Sequence, residues 1–369
     1  MRLSLWLSLA PAAAVGIGRF AYALVLPGMQ TGLSLSHAEA GLLGSANTAG
    51  YLAGALISHR VLDKTGYRSG VFAALLLQTL SLALLAGPES LTALAALRFA
   101  QGVLGAFVFV GGAALLLASG GRGAATGLYF AGVGLGIAVS PLALPLAADW
   151  QSSWLVLAGL SLAMTVAAFS ALPLVVEPAP KVTGSEGSLR PIRFVLAVYG
   201  LYGAGYIGYM TFVTSTLTVS LGLFWALLGV AAMTGSALWG RWTERVGGAR
   251  SLTHVLFVMT AASAYPLVIQ APWLSAMAYG VSFLGVLSAV TDVFSSRLPP
   301  GAWARAMGIS TAAFAVGQAI GPGFSGLFGD LLGGPHGALA LSTLLLGSAW
   351  FIALWHLRSP VDKPGESKR

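Results

Sequence analysis

Long apolar runs follow one another along almost the whole chain, with only short polar breaks between them. The runs lie at about 5–28, 39–59, 70–87, 91–118, 125–147, 153–175, 193–217, 221–240, 252–270, 272–296, 303–328 and 336–357. Each is close to the roughly 20 residues that a helix needs to cross a bilayer. They are too long for barrel strands and lack the polar/apolar alternation that a membrane barrel requires. Only 8% of the residues are charged, against about 25% in ordinary soluble domains. So few charges cannot cover a water-facing surface on a 369-residue chain. The spacing predicts an all-α membrane protein of twelve transmembrane helices, embedded in a lipid bilayer. No length remains for a separate catalytic or nucleic-acid-binding domain. Residues 1–10 run directly into the first apolar stretch and read as part of a span, not a removable signal.

The net charge of +8 is a sidedness signal. Arg60, Lys64 and Arg68, then Arg122, then Lys181, Arg190 and Arg193 fall in alternate breaks. Arg241, Arg245 and Arg250, Arg297 and Arg305, and the tail Arg358, Lys363, Lys368 and Arg369 continue the series. The other breaks carry Glu39, Glu89, Asp149 and Asp330 and no Lys or Arg. Basic loops stay on the cytoplasmic side, so both termini are expected inside a bacterial inner membrane. The stretch 177–192, with Pro178, Pro180, Gly184, Gly187 and Pro191, reads as a cytoplasmic linker. It separates an N-terminal six-helix bundle (1–176) from a C-terminal one (193–358), and a cytoplasmic tail follows at 359–369.

A shift of 181 residues superposes the two halves. Asp63, Lys64 and Gly66 land on Glu244, Arg245 and Gly247, and Gly127, Gly136 and Pro141 land on Gly308, Gly317 and Pro322. Asp149 lands on Asp330. Parallel six-helix repeats of this kind underlie one large class of secondary transporters.

The motifs point the same way. His59-Arg-Val-Leu-Asp63-Lys64-Thr-Gly66-Tyr-Arg68 resembles the major facilitator superfamily signature Gly-x-Leu-x-Asp-basic-x-Gly-basic-basic. His59, Val61 and Tyr67 depart from it. Gly240-Arg-Trp-Thr-Glu244-Arg245-Val-Gly247 is a second copy that lacks the final basic pair. Arg98-Phe-Ala-Gln101-Gly102 resembles the fourth-helix signature, and Gly136 to Pro141 is a weak form of the Gly-Pro element associated with antiporters. The better copy, Gly317 to Pro322, stands in the eleventh run. The chain is also similar to the bacterial YbfB/YjiJ family in Gly16-Ile-Gly-Arg19-Phe-Ala-Tyr22, Asn47-Thr-Ala-Gly50-Tyr51, Tyr129-Phe-Ala-Gly132 and Tyr199-Gly-Leu-Tyr202-Gly-Ala-Gly-Tyr206. The resemblance implies the major facilitator fold and transport, and it names no substrate.

Two arginines, Arg19 and Arg98, fall inside spans at similar depth. A charge there costs a few kcal/mol and must face a cavity or a partner. One reading places both on the floor of a central site for a polar or anionic group. The other has them neutralised between helices. Tyr199, Tyr202, Tyr206 and Tyr209 recur at helical spacing and form one face, which suits a cavity lining. Tyr22, Asn47, Tyr51, Gln101, Tyr129 and Gln318 complete the substrate or coupling candidates, with interhelical hydrogen bonding as the alternative role. The cytoplasmic gate candidates are Asp63, Lys64, Gly66, Arg68, Glu244, Arg245, Gly247, Asp292 and Arg297. Asp63 and Glu244 are placed to cap a helix or pair with Lys64, Arg68, Arg245 or Arg250. Asp292 reads as a gate bridge to Arg245 or Arg241, or else as a proton carrier.

Other chemistries find no support. There is no cysteine and no phosphate-binding loop, and the five histidines lack metal-ligand spacing. No cofactor, metal or catalytic residue is expected, and no nucleophile and base are placed to make an enzyme. The expected activity is secondary active transport of a small organic solute by alternating access in a monomer. The resemblance implies proton-coupled efflux. The two buried arginines suggest the alternative, uptake of an organic anion or carboxylate, and a non-transporting sensor is a remote third reading.

Overall fold

The computed structural model describes residues 2–120, 124–177, 190–217, 220–269, 272–298 and 303–358. Residues 178–189 of the expected linker and the whole expected tail lie outside the described residues. Within them the secondary structure is helical. The first span is α1 (Arg2–Pro11), a π-helical segment (Ala12–Phe20) and α2 (Tyr22–Leu33) in succession. Then come α3 (His37–Thr65), α4 (Tyr67–Leu84), α5 (Leu91–Ala118), α6 (Ala124–Ala143) and α7 (Trp150–Ala168). The second half holds α8 (Arg193–Phe212), α9 (Leu221–Val246), α10 (Gly248–Val268), α11 (Pro272–Phe283), α12 (Gly285–Arg297), α13 (Trp303–Leu331) and α14 (Pro335–Arg358).

Among the described residues eight helical stretches are long and apolar enough to cross a membrane, and α9, taken as one bent span, makes a ninth. The remaining three of the expected twelve are α3, α8 and α13, of 29, 20 and 29 residues. They pack on one another, α13 against both α3 and α8. Their buried faces carry Asn47, Thr48, Gln318, Tyr202 and Tyr206. The lipid-facing helices carry the converse, with large apolar side chains such as Leu155, Leu344, Phe351 and Trp355 more than half exposed. A continuous apolar exterior of this kind suits a bilayer and not water.

The signature segments are not loops. Asp63 and Lys64 belong to the last turn of α3, and Glu244 and Arg245 to the last turn of α9. Each helix then turns on a single glycine, Gly66 at φ 85° and Gly247 at φ 81°. That pairing of positive φ with extended ψ is open essentially to glycine alone, which explains why both repeats keep a glycine there.

The halves meet along two crossings related by the 181-residue shift. In one, a Cβ at Gly41 of α3 would lie 2.2 Å from the Pro322 carbonyl oxygen of α13. In the other, a Cβ at Gly222 of α9 would lie 3.9 Å from the Pro141 carbonyl oxygen of α6. Deeper along that second crossing, Gly134 and Gly229 bring the α6 and α9 backbones into direct contact. The outer crossing is also tied by hydrogen bonds, from the Gly323 amide to Ser45 Oγ (3.0 Å) and from Thr48 Oγ1 to the Gln318 carbonyl (2.7 Å). Both crossings run from mid-span to the end that lacks basic residues.

Candidate functional site

The centre is built around the π-helical segment. A π turn leaves backbone carbonyls without their usual partner, and at membrane depth something else must satisfy them. Gln78 Nε2 of α4 donates to the Ala14 carbonyl at 3.1 Å, and Arg98 Nη1 of α5 donates to the Gly18 carbonyl at 2.9 Å. Gly16 and Gly18 make room. A Cβ at Gly18 would lie 2.0 Å from Gln78 Nε2, and one at Gly16 would lie 2.6 Å from Gly136 Cα on α6. The segment presents Arg19 at its end.

The two arginines have different surroundings. Arg98 is 2% exposed. Its Nη1 also donates to Gln101 Oε1, its own carbonyl accepts from Asn47 Nδ2 at 3.1 Å, and its guanidinium sits 4.5 Å from the centre of the Tyr22 ring. The Tyr22 hydroxyl in turn donates to the Ala40 carbonyl at 2.7 Å. Arg98, Gln101, Asn47 and Tyr22 are thus one interhelical network, although Arg98 Nε and Gln101 Nε2 are left without a partner. Arg19 is also buried, but its Nε and Nη2 have no hydrogen-bond partner. Its guanidinium lies 5.2 Å from the Tyr51 ring centre and 5.7 Å from that of Phe20. It is within electrostatic reach of Tyr202 and Tyr206 from the other half. It therefore stands at the junction of the halves with two donors unused.

The tyrosine face of α8 divides as well. Tyr199, Tyr202 and Tyr206 stack with Phe314 of α13 at ring separations of 4.8, 5.4 and 5.8 Å, and Tyr206 stacks with Phe283 at 6.0 Å. Phe283 meets Phe20 across the halves at 6.2 Å. The Tyr202 hydroxyl donates to the Phe283 carbonyl, where the break between α11 and α12 interrupts the helix. Tyr209 turns elsewhere, stacked on Tyr279 at 3.9 Å with its hydroxyl on Ser275. Tyr129 is tied within the first half, donating to the Phe109 carbonyl at 2.9 Å. Gln318 is 1% exposed, its Oε1 has no partner, and its amide neighbours the Tyr206 hydroxyl. Arg19, Tyr51, Tyr206 and Gln318 are therefore the expected residues that converge on open polar chemistry. Phe20, Phe283 and Phe314 join them unforeseen, since nothing in a sequence separates a cavity phenylalanine from a lipid-facing one.

At the basic-rich end, carboxylates other than the expected ones cap the helices. Glu177 accepts from the Tyr67 and Arg68 amides at 2.9 and 3.0 Å at the start of α4. Asp292 accepts from the Gly248 amide at 2.6 Å at the start of α10. Tyr67 and Gly248 are repeat-related positions. Asp63 lies beside the Tyr67 hydroxyl instead. Among the described residues, Asp63, Lys64, Arg68, Glu244 and Arg245 form no ion pair. Arg297 Nη1 lies 2.8 Å from His356 Nε2 and 5.2 Å from the Phe194 ring centre, joining α12, α14 and α8.

A family described as "Uncharacterised MFS-type transporter YbfB" matches residues 11–354. No curated protein matches the chain significantly. Among solved structures, a mutant form of the nucleoside transporter NupG superposes with a TM-score of 0.77 at 13% identity, over 96% of this chain and 99% of that one. A bacterial homolog of the human lysosomal transporter Spinster, in an inward-facing and occupied conformation, superposes at 0.73 with 15% identity, over 97% and 96% of the two chains.

Proposed function

The chain belongs to the family of MFS-type transporters described by YbfB, and from that premise we propose that it moves a small organic anion by alternating access through a site centred on Arg19. The observation that carries this reading is the buried guanidinium with Nε and Nη2 unused. Arginine stays protonated at any working pH, and its planar fork holds a carboxylate with two parallel bonds. Tyr51, Tyr206 and Phe283 supply ring faces for an apolar body, and Gln318 Oε1 supplies an acceptor for a hydroxyl or amine on the solute. This mixture of apolar walls and a few converging polar groups is typical of small-molecule sites.

The placement of acids favours the anion reading over proton-coupled efflux. Among the described residues Glu39, Asp63, Glu89, Asp149, Glu177, Glu244, Asp292 and Asp330 all lie near the ends of the expected spans or outside them, so none of these stands at the depth of Arg19 to carry a proton. Asp292 serves a helix cap. With the basic loops inside, the closed crossings lie on the outer side, and the arrangement is inward-facing in a monomer of the bacterial inner membrane. In this reading Asp63, Lys64, Arg68, Glu244, Arg245 and Arg297 line the open inner end, and they come together only when the cycle reverses.

A neutral planar solute is the second reading. The stack of Tyr199, Tyr202, Tyr206 and Phe314 supports it, and it agrees with the nucleoside named for one structural neighbour. The two are separated by thermal unfolding of purified protein with a panel of carboxylates and nucleosides, on wild type and Arg19→Ala. Stabilisation by carboxylates that disappears in Arg19→Ala supports the anion site. Stabilisation by nucleosides in both proteins supports the second reading and overturns the first.

A further inference from the structure

We propose that a groove on the outside of the second half, between α10 and α14, binds an anionic phospholipid at the basic-rich end. The groove has a volume of about 540 Å³. His254 and Phe257 line it from α10, Trp350, Leu354 and Leu357 from α14, and Trp242 of α9 stands at its side. Phe257 and Trp350, with ring centres 5.4 Å apart, set its inner end, farthest from the basic breaks. Phe257 and Trp242 are exposed, so the protein itself does not cover this apolar floor. In a bilayer, acyl chains do.

The mouth of the groove is polar and cationic. Trp242 Nε1 donates to His254 Nδ1 at 3.1 Å. An indole N–H can only donate, so Nδ1 accepts and the hydrogen of the imidazole sits on Nε2, which is left as a donor. Side chains with an apolar body and a polar tip belong at headgroup level. Arg250 precedes His254 by four residues and Phe257 by seven, so the three share one face of α10. At the rise of an α-helix, Arg250 stands about 10 Å beyond Phe257 toward the basic-rich end. Arg245 follows Trp242 by three residues on α9, toward the same end. Both arginines are exposed, and neither forms an ion pair among the described residues. Of the nearby carboxylates, Glu244 is two residues from Trp242 and lies on another face of α9, and Asp292 takes the Gly248 amide. Two cations above an apolar slot complement a phosphate above acyl chains. Any lipid could fill the slot, so the arginines set the preference, as basic pockets between membrane helices do for anionic headgroups.

Native mass spectrometry of the full chain identifies the retained lipid, after exchange in detergent with an equimolar mixture of phosphatidylglycerol and phosphatidylcholine. Wild type should keep one phosphatidylglycerol in preference to phosphatidylcholine. Arg245→Gln combined with Arg250→Gln should reduce that preference about tenfold or more, as two cations near a headgroup allow. Leu354→Trp fills the slot and should lose the preferred lipid, and Leu357→Trp carries the same expectation should Leu354→Trp not fold. Arg60→Gln combined with Arg68→Gln removes two exposed charges from the same end of the other half and should leave the preference unchanged. Equal retention of the two lipids by wild type overturns the proposal, and so does undiminished retention in the slot-filling variant. An equal loss in both pairs of arginine variants overturns it as well, since the response would then be to surface charge in general. A wild-type dimer that Leu354→Trp dissociates would make the groove an interface between copies and overturn the lipid site.

Discussion

Asp330, at the end of α13, caps the first turn of α3 across the junction of the halves: its Oδ1 accepts from the His37 amide and its Oδ2 from the Ala38 amide, both at 2.9 Å. The His37 ring adds a contact at 3.2 Å. A carboxylate at a helix N-terminus meets unpaired amides and the positive end of the dipole. Here the acid comes from one half and the helix from the other, so the cap exists only while this end is closed. The repeat-related Asp149 caps its own helix, α7, through Ser152. One pair of symmetric acids thus does two jobs, one local and one conformational.

Asp330→Ala should weaken closure at this end by roughly 1–3 kcal/mol, the usual worth of charge-assisted bonds. Spin labels at positions 31 and 332 should then report a larger share of long distances, while the melting temperature changes little. An unchanged distance distribution would show that the apolar crossing alone holds the end shut.

Much of this architecture was legible in the sequence because bilayer thickness and water exclusion act on every span alike. The repeat relation of Gly66 and Gly247 was legible too, but not that each is a one-residue turn between two helices, which only the backbone conformation shows. The irregular parts were not. The π turn at Ala12–Phe20 and the break after Phe283 persist because Arg98, Gln78 and Tyr202, distant in sequence, satisfy the freed carbonyls. Nor could sequence decide which acids cap which helices. Glu177 and Asp292 do so where Asp63 and Glu244 were expected, because the choice depends on which carboxylate the packing of α7 and α12 brings to the amides.

Glycine packing gives a sharp contrast. A Cβ at Gly132 on α6 would lie 2.0 Å from the Ser8 carbonyl oxygen, a backbone atom, while Gly159 on α7 has nothing within 4 Å. Gly132→Ala must push α1 away and should cost about 1–3 kcal/mol, as overpacking usually does. Gly159→Ala should be neutral or stabilise by up to about 1 kcal/mol through helix propensity. Thermal unfolding of both variants in the same detergent decides it, and equal melting temperatures would refute the α1–α6 contact.

The Asp149 cap makes a prediction about acid. Hydrogen bonds from the Ser152 side chain and amide hold its carboxyl below the usual aspartate range. A group depressed on folding stabilises the protein above its unfolded value, and that contribution fades as pH falls through the folded one. Ser152→Ala removes the side-chain bond, the larger cause, so its melting temperature should approach that of wild type as pH is lowered from about 6 toward the carboxylate range. A constant gap between the two proteins over that interval would mean that the cap does not depend on charge.

The two buried arginines, expected together on the floor of one site, should separate cleanly on mutation. Arg98 Nη1 bonds the Gly18 carbonyl that the π turn leaves open, and its guanidinium covers the Tyr22 ring. Arg98→Ala removes both contacts, so it should cost about 2–4 kcal/mol of stability, in the range for charged hydrogen bonds plus an orphaned acceptor. Arg19 bonds nothing through Nε and Nη2. Arg19→Ala relieves an unpaired buried charge but leaves a cavity beside the Phe20 and Tyr51 rings, so the two effects oppose and its melting temperature should fall less than that of Arg98→Ala. Any carboxylate ligand should lose roughly 2–5 kcal/mol of affinity in Arg19→Ala, because the lost contact is desolvated, and Arg19→Lys should recover only part of it because the fork is gone. Thermal unfolding with and without ligand measures both quantities on the same samples. If Arg19→Ala unfolds early while Arg98→Ala folds normally and loses the ligand, the two roles are reversed and the site must be redrawn around α5.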